Sequence, residues 1–129
     1  MKKLLIVEDD VDIANILQNA LAAKYELKIL HDSTDIITTL KSFKPDILLL
    51  DNFIGQSNAS EVIREIQALK EGNNIPFILF SAHPDIEKIA FNLKAKAFLP
   101  KPFKLSELYA CLNKVAADEY PTLLHNNPA

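Results

Sequence analysis

Short apolar runs recur along the chain and alternate with longer segments of mixed polarity. The five runs lie at residues 4–7, 27–30, 47–50, 77–80 and 97–99. Three of them are unbroken blocks of Leu, Ile, Val or Phe, a composition typical of parallel strands that are covered on both faces. The run at 27–30 alternates partly with charged residues, which favours a strand at the edge of a sheet.

The segments between the runs carry apolar residues at every third or fourth position, as the buried face of an amphipathic helix does. The five stripes comprise Ile13, Ile16, Leu17, Ala20 and Leu21, then Ile36, Ile37 and Leu40, then Val62, Ile63, Ile66 and Leu69, then Ile86, Ile89, Ala90 and Leu93, and finally Leu105, Leu108, Leu112 and Val115. Strands that alternate with helices in this way predict an α/β fold, a doubly wound sheet of five parallel strands with helices on both faces.

Length and composition bound the class of protein. The 129 residues fit one domain, and 49% apolar with 24% charged residues is typical of a soluble globular protein. We predict a domain over 1–117 and a C-terminal tail over 118–129, where periodicity is lost. The net charge of −3 argues weakly against direct contact with nucleic acid.

Two further observations concern location. No apolar run approaches the roughly 20 residues needed to cross a bilayer, so we expect no membrane contact. The lone Cys111 can form no internal disulfide and suits the reducing conditions of the cytoplasm. A cytoplasmic location is therefore the expectation.

Acidic, hydroxyl and ammonium groups follow four of the five runs. Glu8 and Asp9 follow the first run, Asp51 the third and Ser81 the fourth, and Lys101 comes shortly after the fifth. The carboxyl ends of the strands in an open parallel sheet lie at one edge, where ligands bind. We therefore expect three carboxylates, a hydroxyl and an ammonium group to converge in one cleft.

The chemistry of such a cleft points to phosphoryl transfer. Three adjacent carboxylates repel one another and favour a bound cation. Mg²⁺ fits because it accepts one or two carboxylates and shares its shell with phosphate. A carboxylate can also attack phosphorus, and that reaction needs little beyond positioning and neutralisation of charge.

Four segments resemble, in order and at matching spacing, the motifs of the response-regulator receiver domains of two-component signal transduction. Residues 4–10 are similar to the first strand and acidic pair of that family, and residues 45–51 to the strand that ends in the phosphoacceptor. Residues 78–82 match the Ser/Thr-Ala strand end, and 97–103 match the aromatic switch position and the Lys-Pro-Phe signature. The resemblance covers about residues 2–116.

The resemblance implies a flavodoxin-like, CheY-like sheet with strand order 2-1-3-4-5 and roles for particular residues. Asp51 would be phosphorylated, with Lys101 and Ser81 contacting phosphoryl oxygens. Asp9 and Asp51 would ligate Mg²⁺ directly, and the backbone carbonyl of Phe53 would be another ligand. Glu8 would act on the ion through a water molecule, and the Lys101–Pro102 peptide bond would be cis.

The resemblance also implies a signalling role rather than classical enzyme activity. The phosphodonor would be a sensor histidine kinase or a histidine phosphotransfer protein, and the domain would assist its own Mg²⁺-dependent phosphorylation and dephosphorylation. Ser81 would move toward the phosphoryl group and Phe98 would turn inward. A downstream protein would then bind the face formed by the fourth helix, fifth strand and fifth helix. Phosphorylation-dependent homodimerisation is an open alternative.

Two other functions remain open at this point, and some residues depart from the family pattern. A haloacid-dehalogenase-type phosphohydrolase needs an acid two residues after the nucleophile, where this chain has Phe53. An unphosphorylated interaction module would not require the complete acid, hydroxyl and lysine set. Gly55 and Ala59 stand where the family usually has Pro and Gly, and Phe53 and His83 leave the lifetime of the phosphoryl group open.

Overall fold

The computed structural model describes residues 1–54, 57–70 and 74–117. The predicted tail at 118–129 and the departure at Gly55 lie outside the described residues. In chain order the elements are β1 (Lys2–Val7), α1 (Val11–Leu21), β2 (Tyr25–Leu30), α2 (Ile36–Phe43), β3 (Ile47–Asp51), β4 (Phe53–Ile54), β5 (Ser57–Asn58), α3 (Ala59–Gln67), β6 (Phe77–Ser81), α4 (Ile86–Leu93), β7 (Ala97–Pro100) and α5 (Leu105–Ala116).

Five of the strands form one parallel sheet in the order β2-β1-β3-β6-β7. Counted among these five strands alone, the order is 2-1-3-4-5, which confirms the expected topology. The alternating run that favoured an edge position is β2, at one edge of the sheet. The remaining two strands, β4 and β5, form a short antiparallel pair that the apolar pattern did not predict.

Side chains of the sheet alternate between two apolar clusters, one on each face. Leu5, Val7, Leu48 and Leu50 pack with the buried residues of α2, α3 and α4. Neighbouring strand residues such as Phe80 pack with α1 and α5 on the opposite face. Every residue of β3 and β6 is buried, which explains why these runs are unbroken. Each fully buried aliphatic side chain contributes about 1.5–3 kcal/mol, so the central strands anchor both layers.

The ends of the helices depend on short-range contacts. The Asp10 carboxylate accepts hydrogen bonds from the backbone N–H groups of Asp12 and Ile13 and so begins α1. Helices α2 and α4 end at Phe43 and Leu93. The residues that follow them, Lys44 and Lys94, adopt left-handed backbone conformations with φ of 52° and 64°. Glycine usually occupies such positions, so a lysine there does not signal the end of a helix.

Two residues of the apolar stripes are not part of the core. Ile16 in α1 is 55% exposed and Leu105 at the start of α5 is 42% exposed. These two residues therefore do not pack against the sheet, although Leu17 and Leu108 of the same stripes do. Among the described residues, none of the helices combines the length and the apolar character that a membrane span requires.

Candidate functional site

The parallel register brings the ends of four strands to one edge of the sheet. Asp51 is the last residue of β3 and pairs with Phe80, one residue before Ser81 at the end of β6. Ser81 pairs in turn with Pro100, and its backbone carbonyl accepts a 2.9 Å hydrogen bond from the backbone N–H of Lys101. Backbone pairing therefore sets the spacing of the residues that the sequence analysis selected.

The three predicted carboxylates lie close together. One ligand oxygen from each of Glu8, Asp9 and Asp51 lies within 4.8 Å of the other two. Glu8 and Asp51 are buried, whereas Asp9 is exposed to solvent. A set of carboxylate oxygens with one open side fits a hard divalent cation such as Mg²⁺, which keeps several waters when bound.

The Lys101 ammonium group points into this cluster. Its Nζ lies 2.6 Å from Oε1 of Glu8 and 3.5 Å from Oδ2 of Asp51. It also lies 4.6 Å from the centroid of the Phe80 ring, which is a cation–π contact. The lysine is therefore placed to contact an anion at Asp51.

The Glu8 carboxyl has an unusual acidity. Burial raises its pKa from 4.5 to about 7, and the Asp51 charge acts in the same direction, although the hydrogen bond from Lys101 opposes both. One ammonium group therefore does not compensate this buried carboxyl and its acidic neighbours. An additional cation in the cluster would favour the ionised form of Glu8.

Ser81 and Phe98 lie on the same face of the sheet. Strand residues alternate between the faces, and Ser81 and Phe98 share the face of Leu79, which packs with α2, α3 and α4. Ser81 is buried, and its Oγ accepts a 3.0 Å hydrogen bond from the backbone N–H of His83. Phe98 is half-buried against the apolar cluster. Movement of Ser81 and of Phe98 would therefore affect the same layer of the molecule.

One histidine at this edge was not among the residues predicted from the sequence. Nδ1 of His31 lies 3.1 Å from the backbone carbonyl oxygen of Glu8. His31 follows β2 directly, so the rule that selected the other strand ends, applied to the second run, would have found it. Phe53 begins β4 and pairs with Asn58, but its side chain lies outside the described residues. The expected ligand role of its carbonyl stays a prediction.

An apolar groove borders the cleft. It lies between α1 and the start of α5 and encloses about 430 Å³. The exposed Ile16 and Leu105 line it together with Phe103, and Lys101 forms the wall shared with the cleft. These stripe residues therefore face a groove rather than the sheet.

The fold and the site together define the class of protein. The chain is a doubly wound α/β domain that gathers an acidic cluster, a buried hydroxyl and an inward lysine at the carboxyl edge of its sheet. The Lys101–Pro102 peptide bond is cis, as the resemblance implied.

The sequence model of the family described as response regulator receiver domain matches residues 4–113, and the chain belongs to this family. The response regulator MprA of Mycobacterium avium is 30% identical over 111 residues, which are 84% of this chain and 48% of that protein. The chain thus spans about half the length of the curated relatives it matches. The family match supports the receiver domain over the hydrolase alternative.

Solved structures agree with this fold. A response regulator described as putative, from Chloroflexus aurantiacus, is 27% identical with a TM-score of 0.81, covering 90% of this chain and 98% of its own. The receiver domain of a sensor histidine kinase from Pseudomonas aeruginosa is 23% identical with a TM-score of 0.78. The match covers 88% of this chain and 95% of that one. That second structure has a magnesium ion coordinated in its active site cleft. At this identity it supports the fold alone.

Proposed function

We propose that Asp51 accepts a phosphoryl group and that this reaction depends on Mg²⁺. The observation that carries the proposal is the convergence of Asp51 with Glu8 and Asp9 beside the Lys101 ammonium group. Asp51 is the acceptor because it ends the central strand β3 and lies within reach of Lys101. A carboxylate nucleophile, an acidic cluster and a lysine are the groups that phosphoryl transfer to a protein requires.

The proposed metal site uses the acidic cluster. Asp9 and Asp51 would ligate Mg²⁺ directly, Glu8 would act through a water, and the Phe53 carbonyl would complete the protein ligands. Bound there, the ion would neutralise negative charge on the phosphoryl oxygens. The cluster fits such an ion because its ligand oxygens lie within 4.8 Å of one another and one member is open to solvent.

The reaction itself follows from the positions of the protein groups. An oxygen of the Asp51 carboxylate attacks phosphorus, the new O–P bond forms, and the N–P bond of a phosphohistidine breaks. The electron pair of that bond stays on the leaving imidazole, which takes a proton from solvent. Lys101 and the Ser81 hydroxyl then contact phosphoryl oxygens, which explains why both groups face this edge. By the same contacts the domain would assist the later attack of water on the aspartyl phosphate.

The partners follow from this chemistry. The donor would be a sensor histidine kinase or a histidine phosphotransfer protein, and the output partner would be a protein. We place the output on the face of α4, β7 and α5, because Ser81 leads into α4 and Phe98 belongs to β7. Phosphorylation-dependent homodimerisation stays open beside this output.

The proposed domain spans 1–117, with a tail at 118–129. The family match ends at residue 113 and α5 ends at Ala116, which supports this boundary. The free, buried Cys111 is consistent with the expected cytoplasmic location.

The proposal is tested by mass spectrometry of the intact protein after incubation with acetyl phosphate and Mg²⁺. We expect a gain of one phosphoryl group that is absent in Asp51→Asn. The matched control is Asp46→Asn, since the exposed Asp46 precedes the opposite end of the same strand. A gain of a phosphoryl group by Asp51→Asn contradicts the proposal. The absence of any gain in the unaltered protein contradicts it as well.

A further inference from the structure

Among the described residues, three hydrogen bonds join His83 to Ser81, to Asp85 and to Ile86. The His83 backbone N–H donates to Oγ of Ser81 at 3.0 Å. The ring Nδ1 of His83 accepts from the backbone N–H of Asp85 at 3.0 Å, and the His83 carbonyl accepts from Ile86 at 3.2 Å. One residue therefore contacts both the hydroxyl at the site and the first turn of α4.

The start of α4 is capped differently from the starts of α1 and α3. The first N–H groups of a helix have no partner within the helix, so side chains usually supply one. Asp10 and Asn58 do so for α1 and α3 through their own side chains. Asp85, the N-cap residue of α4, makes no such side-chain bond in the described part of the chain. The His83 ring instead accepts from the N–H of the N-cap residue Asp85 itself, and the His83 carbonyl accepts from Ile86, the first residue of the helix.

The bond to Ser81 is the one that phosphorylation would alter. The Ser81 hydroxyl is buried, and its oxygen accepts from the His83 N–H. If the hydroxyl turns toward a phosphoryl group on Asp51, its oxygen moves away from the His83 N–H. A buried or half-buried N–H without an acceptor is costly, so the His83 backbone should move to find another. The bonds from His83 to Asp85 and Ile86 carry that movement into α4.

We propose that His83 is a positioning residue that transmits the state of the Ser81 hydroxyl to the first turn of α4. The inference rests on the proposed phosphorylation of Asp51, and it assigns the His83 ring a part in the response that the motif match does not supply. The ring must present an unprotonated Nδ1 to accept the Asp85 N–H, which places the ring hydrogen on Nε2.

This chemistry provides matched variants. His83→Asn places an amide oxygen close to the position of Nδ1 and keeps an acceptor for the Asp85 N–H. His83→Ala removes the acceptor and leaves the backbone N–H that bonds to Ser81. Neither variant alters a group that we place at the phosphoryl site. Ser81→Ala removes the hydroxyl itself and serves as the second, independent test.

The experiment records amide resonances of the full chain by NMR, with and without Mg²⁺ and beryllofluoride, which mimics a phosphoryl group on a carboxylate. In the unaltered protein we expect shifts at Asn52, beside the acceptor, and at Asp85 and Ile86. In His83→Ala the shift at Asn52 is retained, while that at Asp85 falls to less than about a third. The shift at Ile86 falls less, because its bond to the backbone carbonyl of residue 83 remains. His83→Asn keeps the shift at Asn52 and the shifts at the start of α4, whereas Ser81→Ala loses the shifts in α4.

A capping role without transmission gives a different result. Free His83→Ala protein then exchanges the Asp85 amide hydrogen faster, by about fivefold, but keeps the full response to the mimic in α4. That outcome overturns the inference, as does a full α4 response in Ser81→Ala. Absence of any shift at Asn52 in the unaltered protein shows that the proposed acceptor role has failed, and the inference then fails with it.

Discussion

Glu8 carries the clearest conflict between stability and function at the scale of single residues. Its side chain is 0% exposed, and burial among acidic neighbours raises its pKa from 4.5 to about 7. The folded state therefore binds this proton more tightly than the unfolded state does. The stabilisation is fully present below about pH 4.5 and is lost as the pH rises through about 7.

Glu8→Gln should remove this pH dependence, because the amide is neutral at every pH and has nearly the same shape. At pH 8 in the presence of a chelator, we expect the variant to be more stable than the unaltered protein by about 3 kcal/mol. Urea unfolding at pH 5 and pH 8 measures the difference. The control Glu26→Gln, at an exposed strand position, should show the same change in stability between pH 5 and pH 8 as the unaltered protein. Equal pH dependence in the unaltered protein and Glu8→Gln would show that Glu8 does not hold the proton.

Asp9 is the exposed member of the acidic cluster and tests the metal site separately. Asp9→Asn removes one charge from the ligand set but keeps an oxygen, so we expect Mg²⁺ affinity to fall by about tenfold or more. Isothermal titration with MgCl₂ measures the affinity. Asp12→Asn, at an exposed position in the first turn of α1, is the control and should bind Mg²⁺ as before. Equal affinities in Asp9→Asn and the unaltered protein would place the ion elsewhere.

At the scale of elements, α1 shows what an apolar stripe can and cannot predict. Leu17 and Ile16 are neighbours in the same stripe, but Leu17 is fully buried and Ile16 is 55% exposed beside the groove. Helical periodicity identifies the apolar side of a helix. It does not show how far the sheet reaches beneath that side, because the angle between helix and sheet depends on packing of distant residues.

Truncation of these two residues should therefore have different costs. Leu17→Ala leaves a cavity in the core below α1 and should lower the free energy of unfolding by about 2–5 kcal/mol. Ile16→Ala should lower it by less than about 1 kcal/mol. Urea denaturation of both variants at one pH measures the difference. A similar loss in both would mean that Ile16 also packs in the core.

The short antiparallel pair β4–β5 is an element that the sequence could not reveal. Its strands have two residues each, too few for any period of apolar positions to be visible. The ends of α2 and α4 were hidden for another reason, since Lys44 and Lys94 adopt conformations that glycine would have signalled. Element type and order were predictable from long-range alternation, but these local features were not.

At the scale of the whole molecule, the site was more predictable than the details of the fold around it. The shared edge follows from the alternation of strands and helices, and that edge brings Asp51 and Lys101 together. The strand order was implied by the resemblance to the family and not by the alternation. The distance between two side chains does not follow from such a pattern, nor does the high pKa of Glu8. Both depend on how deeply the cleft is buried, which only the assembled structure determines.

The claim on which the account depends is that Asp51 is the residue that carries the phosphoryl group. Borohydride reduction of the protein after treatment with acetyl phosphate and Mg²⁺ converts an aspartyl phosphate to homoserine, and peptide sequencing by mass spectrometry then locates it. We predict homoserine in place of Asp51 and unmodified aspartate at Asp9. Homoserine at Asp9 with Asp51 unmodified, or at no aspartate of a protein that has gained a phosphoryl group, would contradict the account.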